Sequence, residues 1–312
     1  MQTILPEEVL RRSERLMGNM FSFTLVAPAE AASPALEAAI GEIRRIETLF
    51  TTFSESSETA RVNRAAGVEP VVVSPEFYQL VERSLRISGL TQGAFDISYG
   101  GLDKRLWNFD RDLTELPDPE TARLGVRLIN YKNIILDPRA GTVFLREPGM
   151  RIGFGAIGKG YAAERARSLL RQRGIPSGVV NASGDLCCWG QAPGGRLWTV
   201  GIVAPDDARL PFATLELREG AIATSGDYEK FAVIGGRRYA HTIDPRTGLP
   251  VAGIKSVSII CPNAEIADAL ATPVMVMGVR AGLDLVNQLR DVECLIVDEH
   301  NRVHRSAGIK FS

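Results

Sequence analysis

The sequence predicts an α+β fold: a strand-rich, mixed single unit over residues 1–312, with two lobes, and not a Rossmann fold. Three observations lead there. Segments with strand character outnumber those with helical period, and the helices fall among them irregularly, whereas a βαβ chain alternates. Two hairpins join strands directly through turn residues. No repeat, low-complexity run or Pro/Ser-rich linker divides the chain, so one compact unit is the simplest partition.

The elements follow in order. "MFSFTLVAP" (20–28) alternates β-favouring residues and closes at Pro28, as a strand does. Ser33-Pro34 offers a cap and a proline at the first helical position for "ALEAAIGEIRRIETLF". "SESSETARVNRAAG" reads as a loop with a short helical turn, and Ser74-Pro75 starts a second helix that runs to about residue 88. Residues 133–147 form a hairpin around Asp137 to Gly141, and 230–244 another around Gly235-Gly236. Between them lie a helix, "GYAAERARSLLRQRG", stopped by Gly174, and strands at "SGVVNA", "LWTVGIVA" and "FATLELRE". "SVSIICP", helices from Asn263 and from near Arg280 to Leu289, and a hairpin beginning at "VECLIVDE" complete the chain.

Lys+Arg 36 against Asp+Glu 37 leaves no global field to draw in nucleic acid or an anionic membrane, so neither is expected as a partner. The first residues, "MQTILPEEVLRRSERLMGN", carry charges where a signal peptide needs an apolar run, and no later window approaches a membrane span. The expected location is cytoplasmic, without membrane insertion. The four cysteines make no disulfide framework and read as buried small hydrophobes. His300 and His304 have the spacing of a zinc-binding helix, but their segment reads as strand, turn and strand.

The stretch "RIGFGAIGKGYAAE" (151–164) matches two phosphate-binding patterns and satisfies neither. Gly153-x-Gly155-x-x-Gly158 fits the Rossmann fingerprint, yet only the brief "MRIGF" precedes it, and the next strand carries Asn181 where a ribose-binding acid is needed. Gly158-Lys159 is followed by Gly160 instead of the Ser or Thr that binds Mg²⁺ in a P-loop. Alone, the glycines could simply permit a tight strand-to-helix turn.

Further along, Ser225-Gly226-Asp227-Tyr228-Glu229 and His241 to Gly248 flank a hairpin with more polar residues than a hairpin needs. Asp268 and Thr272 lie four apart, on one helix face. One carboxylate and one hydroxyl suffice for Mg²⁺ only where phosphates and water supply the remaining oxygens.

Taken together and in this order, "GAIGKGYA", "SGDYE", "HTIDPRTG" and "ADALAT" resemble the FAD:protein FMN transferase (ApbE-type) family. "MGNMFSF", "SETARVNRA" and "GAFDISYGGL" resemble its N-terminal blocks, so the likeness covers most of the chain. The resemblance implies a cleft that binds FAD with Mg²⁺, transfers FMN to a Ser or Thr hydroxyl of an acceptor protein and releases AMP. It implies Mg²⁺ ligands from the backbone oxygen of Ala156 and the side chains of Asp268 and Thr272. Lys159 would offset charge on the leaving AMP, His241 is the candidate base, and Asp268 could share that role. Met17, Gly18, Asp96, Gly155, Ala156, Lys159, Ser225, Gly226, Asp227, Tyr228 and His241 would hold FAD.

Plainer readings stand beside these. His241 could hydrogen-bond at a strand end, Asp96 could cap a loop, and Asp227 and Glu229 could be turn and surface residues. FAD pyrophosphate hydrolysis, or FAD binding without catalysis, remains open as an alternative function. Asn19, Gly153 and Glu164 depart from the family's usual Thr, acidic residue and Asp. Pro273 cannot bond the Ala269 carbonyl, which the sequence therefore leaves to face the metal or its water.

Overall fold

The computed structural model describes residues 8–102, 115–204, 207–226 and 231–309. In chain order the elements are β1 (Val9–Leu16), β2 (Asn19–Val26), α1 (Ala29–Phe50), α2 (Glu58–Arg64), β3 (Val71–Val72), α3 (Pro75–Leu90) and α4 (Pro119–Gly125). Next come β4 (Ile134–Asp137), β5 (Thr142–Leu145), α5 (Gly158–Gln172), β6 (Ser177–Ala182), β7 (Asp185–Trp189), β8 (Trp198–Ala204) and β9 (Asp207–Leu217). The last are β10 (Gly220–Gly226), β11 (Phe231–Ile234), β12 (Arg237–Ile243), β13 (Pro250–Ala252), β14 (Ile254–Cys261), α6 (Ala264–Val286), β15 (Glu293–Asp298) and β16 (Val303–Arg305).

Alternation builds the main sheet. Phe21, Phe23 and Leu25 of β2 are buried on one face, and the residues between them are half-exposed. Eight strands pair in the order β1-β2-β6-β7-β10-β14-β15-β16, and every pairing is antiparallel. A Rossmann frame needs parallel strands, so this sheet excludes it, as the sequence predicted. Three smaller sheets, β3-β5-β4, β11-β12-β13 and β8-β9, complete the mixed fold.

Helices α1, α5 and α6 lie side by side over one face, α5 in the middle. Leu36, Ile40 and Ile43 of α1, Ala162, Ala166 and Leu170 of α5, and Leu270 and Val274 of α6 are buried there. One apolar cluster runs from Leu16 to Ile296 through Phe77, Val143 and Ala240. On the opposite face, Trp198 and Val200 of β8 cover Val26, Leu186, Cys188 and Ile222.

Several expectations meet their residues. Ser74 Oγ accepts the Phe77 N–H at 3.3 Å as α3 begins, and Gly235 and Gly236 take positive φ in the predicted turn. Gly278, with φ 86°, breaks α6 into the two expected helical segments. All four cysteines are free and buried.

Others need correction. α1 starts at Ala29, not after Ser33, and Pro34 sits inside it; burial of Ala32 and Ala35 extends the helix through the proline. Strands β1, β7 and β10 were absent from the sequence reading. β7 is buried at every residue and therefore shows no alternation, while β1 is an edge strand dense in charge. α6 is long and apolar enough by composition to cross a bilayer, contrary to the expectation that no window comes near; half of that window is buried inside the fold, where it packs on β10, β14 and α5. His304 lies on β16 with Nε2 2.9 Å from Asp298 Oδ2, so the two histidines share no helix.

Candidate active site

A cleft of about 990 Å³ opens where six segments converge. The β1–β2 turn contributes Met17 and Gly18, the end of α1 leads to Thr51 and Phe53, and a loop contributes Asp96 and Tyr99. The glycine loop through Lys159, residues His241 to Ile243 of β12, and Thr272 of α6 close it. Met17 and Gly18 adopt φ of 52° and 73°, which the tight hairpin requires.

The glycine loop is pinned before it reaches the helix. Asn63, buried on α2, accepts the Ile152 N–H at 2.7 Å and donates to the Ile152 carbonyl at 3.0 Å, much as a neighbouring strand would. Gly153 N–H then donates to the Ile97 carbonyl at 2.8 Å. α5 opens at Gly158 with no side-chain cap of its own. Its first turn is instead served by Asp268 from α6, whose Oδ2 accepts the Gly160 N–H at 2.8 Å.

That contact explains the glycine after Lys159. A Cβ at residue 160 would lie 2.2 Å from the Ala264 carbonyl oxygen and 2.6 Å from Asp268 Cβ. The helices can approach this closely only with glycine there, so the hydroxyl residue of a P-loop has no room.

Electrostatics mark the same spot. Lys159 Nζ pairs with Asp185 Oδ2, and Asp185 Oδ1 accepts the Thr224 N–H at 3.3 Å. Burial, then the negative charge of Asp185, pushes the Asp268 carboxyl up to about 7, against the pull of Lys159 and the α5 N–H groups. Burial raises the Asp185 carboxyl as well, opposed by Lys159. Asp185 thus pairs with the ammonium directly, while Asp268 meets the backbone of α5 next to it. Beside it, the hydroxyls of Ser225 and Thr272 are 2.9 Å apart. Carboxylate and hydroxyl oxygens of this kind are the donor types that a small divalent cation such as Mg²⁺ takes.

Met17, Gly18, Asp96, Gly155, Ala156, Lys159, His241 and Thr272 all line this one cleft. Asp268 is buried just behind it, Ser225 reaches it through Thr272, and Gly226 ends β10. Asp227, Tyr228 and Glu229 lie outside the described residues. The Asp96 carboxylate accepts Ser98 N–H and Oγ–H at 2.8 and 2.6 Å and Tyr131 N–H at 2.7 Å, so it closes its loop while it borders the cleft.

Two of the departures have local partners. Asn19 Nδ2 donates to the Met17 carbonyl at 2.8 Å, which ties the hairpin turn. Glu164 reaches the Ala264 N–H at 3.0 Å and pairs with Arg167. Packing does not force Gly153, because a Cβ there would meet Thr52 Cγ2 at an ordinary 3.6 Å. Sequence reading missed Asp185 and Asn63. An aspartate heading the otherwise apolar "DLCCW" was the available signal for the first.

An all-antiparallel sheet, with a glycine loop opening a helix beside a lysine–aspartate pair, defines an α+β protein distinct from Rossmann and P-loop proteins. Residues 17–296 match the model of the ApbE family, and the chain belongs to that family. It is 33% identical to an FAD:protein FMN transferase of Treponema pallidum, over 96% of this chain and 87% of that one. A Klebsiella pneumoniae protein of the same name is 31% identical over 86% of this chain and 84% of its own. The crystal structure of the ApbE protein of Thermotoga maritima superposes with a TM-score of 0.85 at 31% identity, covering 96% of this chain and 97% of that one.

Proposed function

We propose that the protein transfers FMN from FAD to a Ser or Thr hydroxyl of an acceptor protein, with Mg²⁺, and releases AMP. The observation that carries this reading is the Lys159–Asp185–Asp268 cluster at the start of α5, beside a cleft of dinucleotide size. The relatives' shared name supplies the substrate class.

The Ala156 carbonyl, the Asp268 carboxylate and the Thr272 hydroxyl would hold the Mg²⁺, which when bound neutralises phosphate charge. Lys159 reaches the cleft from the first turn of α5, where its ammonium and the helix N-terminus both favour charge developing on the leaving AMP. His241 lines the same cleft from β12 and takes the proton of the attacking hydroxyl. The β1–β2 turn at Met17 and Gly18 and the Asp96 loop border the rest of the nucleotide. Phe50, Phe154 and Tyr161 line the cleft and, with Phe77, pack edge to face or stacked, which gives that wall a rigid apolar character.

Incubation with FAD, Mg²⁺ and a candidate acceptor tests this. Released AMP with an acceptor mass gain equal to the FMN moiety is expected. AMP without a mass gain would establish hydrolysis instead, and neither product would leave only an FAD-binding role.

A further inference from the structure

We infer that Asp185 is a positioning residue for Lys159 in this reaction. The inference rests on the reading of Lys159 given above. Asp185 is the first residue of β7 and follows a two-residue turn in which Ser183 and Gly184 have φ of 56° and 104°. Asn181 Oδ1 accepts the Gly184 N–H at 2.8 Å, which fixes the turn from the preceding strand. Asp185 pairs with Ala182 of β6, and the next residue, Leu186, pairs with both β6 and β10.

The side chain is as constrained as the backbone. It is buried, with 4% of its surface exposed, one oxygen on the Thr224 N–H of β10 and the other on the Lys159 ammonium. Lys159, 29% exposed, forms part of the cleft wall. A lysine is a point charge on a flexible stem, and on its own it samples many positions. Asp185 holds this one between the sheet and the cleft, from the first residue of a strand. The pair also links the sheet to the start of α5, so the ammonium and the helix N-terminus address the same phosphate from a fixed geometry.

The role differs from that of Asp268, which serves the backbone of α5. Asp185 meets the lysine side chain itself. Asp185 is not among the residues that line the cleft, so its effect must pass through Lys159.

The test compares Asp185→Asn, Lys159→Met and the double variant by steady-state FMN transfer, with FAD varied in excess over enzyme at saturating acceptor. Asparagine keeps the acceptor for Thr224 and loses the charge. In Asp185→Asn, kcat should fall at least about tenfold, with KM for FAD and the Mg²⁺ requirement nearly unchanged. In the Lys159→Met background the same change should add nothing, because residues acting as a unit are not additive. Additive losses would overturn the inference, as would an Asp185→Asn defect that saturating Mg²⁺ restores. If Lys159→Met itself transfers FMN at the native rate, the role given to Lys159 falls, and the inference falls with it. Should Asp185→Asn fail to fold, Asp185→Glu keeps the charge but displaces it by one methylene. It should lower kcat with KM unchanged, and native kcat would refute the positioning role.

Discussion

Gly160 and Asp268 meet where α5 crosses α6, with the Gly160 N–H donating to Asp268 Oδ2 at 2.8 Å and no space between them for a side chain. One contact therefore sets the distance between two helices and orients the proposed metal-binding carboxylate. Gly160→Ala should force Ala264 and Asp268 apart. The obstructing Ala264 atom is backbone and cannot rotate away, so a stability loss of about 1–3 kcal/mol is expected. Thermal melts should show the loss, and FMN transfer should fall further than stability alone explains. Gly160→Ala with native activity would dissociate the contact from catalysis.

Asp268→Asn preserves the shape and an acceptor for Gly160 while removing the charge. It should abolish AMP release. The clearer readout is thermodynamic: a ligand bound only by the folded state raises the melting temperature, the more so the further its concentration exceeds its Kd. Mg²⁺ with FAD should stabilise the native protein and leave Asp268→Asn unshifted. An equal shift in both would remove Asp268 from the metal set.

A third prediction concerns acid stability away from the cleft. Burial alone would raise the Asp298 carboxyl, but the His304 ring and the N–H groups of Arg302 and His300 outweigh it and hold it down at about 2. A carboxyl lower in the folded chain than in the unfolded one contributes stability above the unfolded value near 4, and that contribution disappears as pH falls toward 2. Asp298→Asn should flatten the pH dependence of the melting temperature between about pH 4 and pH 2. An unchanged slope in that window would show that the pair with His304 carries no linkage.

What the sequence made legible follows from the range of each interaction. Ser74-Pro75, Gly235-Gly236 and the Asp268/Thr272 spacing are local signals, and the structure places those turns, caps and faces as read. Lys159 and Asp185 are 26 residues apart and Asn63 and Ile152 are 89 apart, so no spacing rule could join them. Asp185 also sits in a strand buried on both faces, where the period-two signal vanishes. The false Rossmann match arose because glycines report close backbone approach but not what approaches. At Gly160 the neighbour is another helix of the same chain.

Asn63 offers the most direct test of the loop's construction. Its amide makes both bonds to Ile152, and the site is buried, so Asn63→Ala leaves one donor and one acceptor unsatisfied. Each orphaned group costs about 1–3 kcal/mol where water cannot reach it. Asn63→Asp would still accept the Ile152 N–H but would set a carboxylate against the Ile152 carbonyl, so it should rescue little. Because the loop runs directly from Ile152 to Ala156 and Lys159, its loosening should raise KM for FAD and lower the affinity for Mg²⁺ together, even in the fraction that remains folded. Titration of FAD binding and of the Mg²⁺ requirement, at a temperature where circular dichroism shows the variant folded, would measure both. Native values for both in a folded Asn63→Ala protein would mean that the loop holds its shape without this anchor.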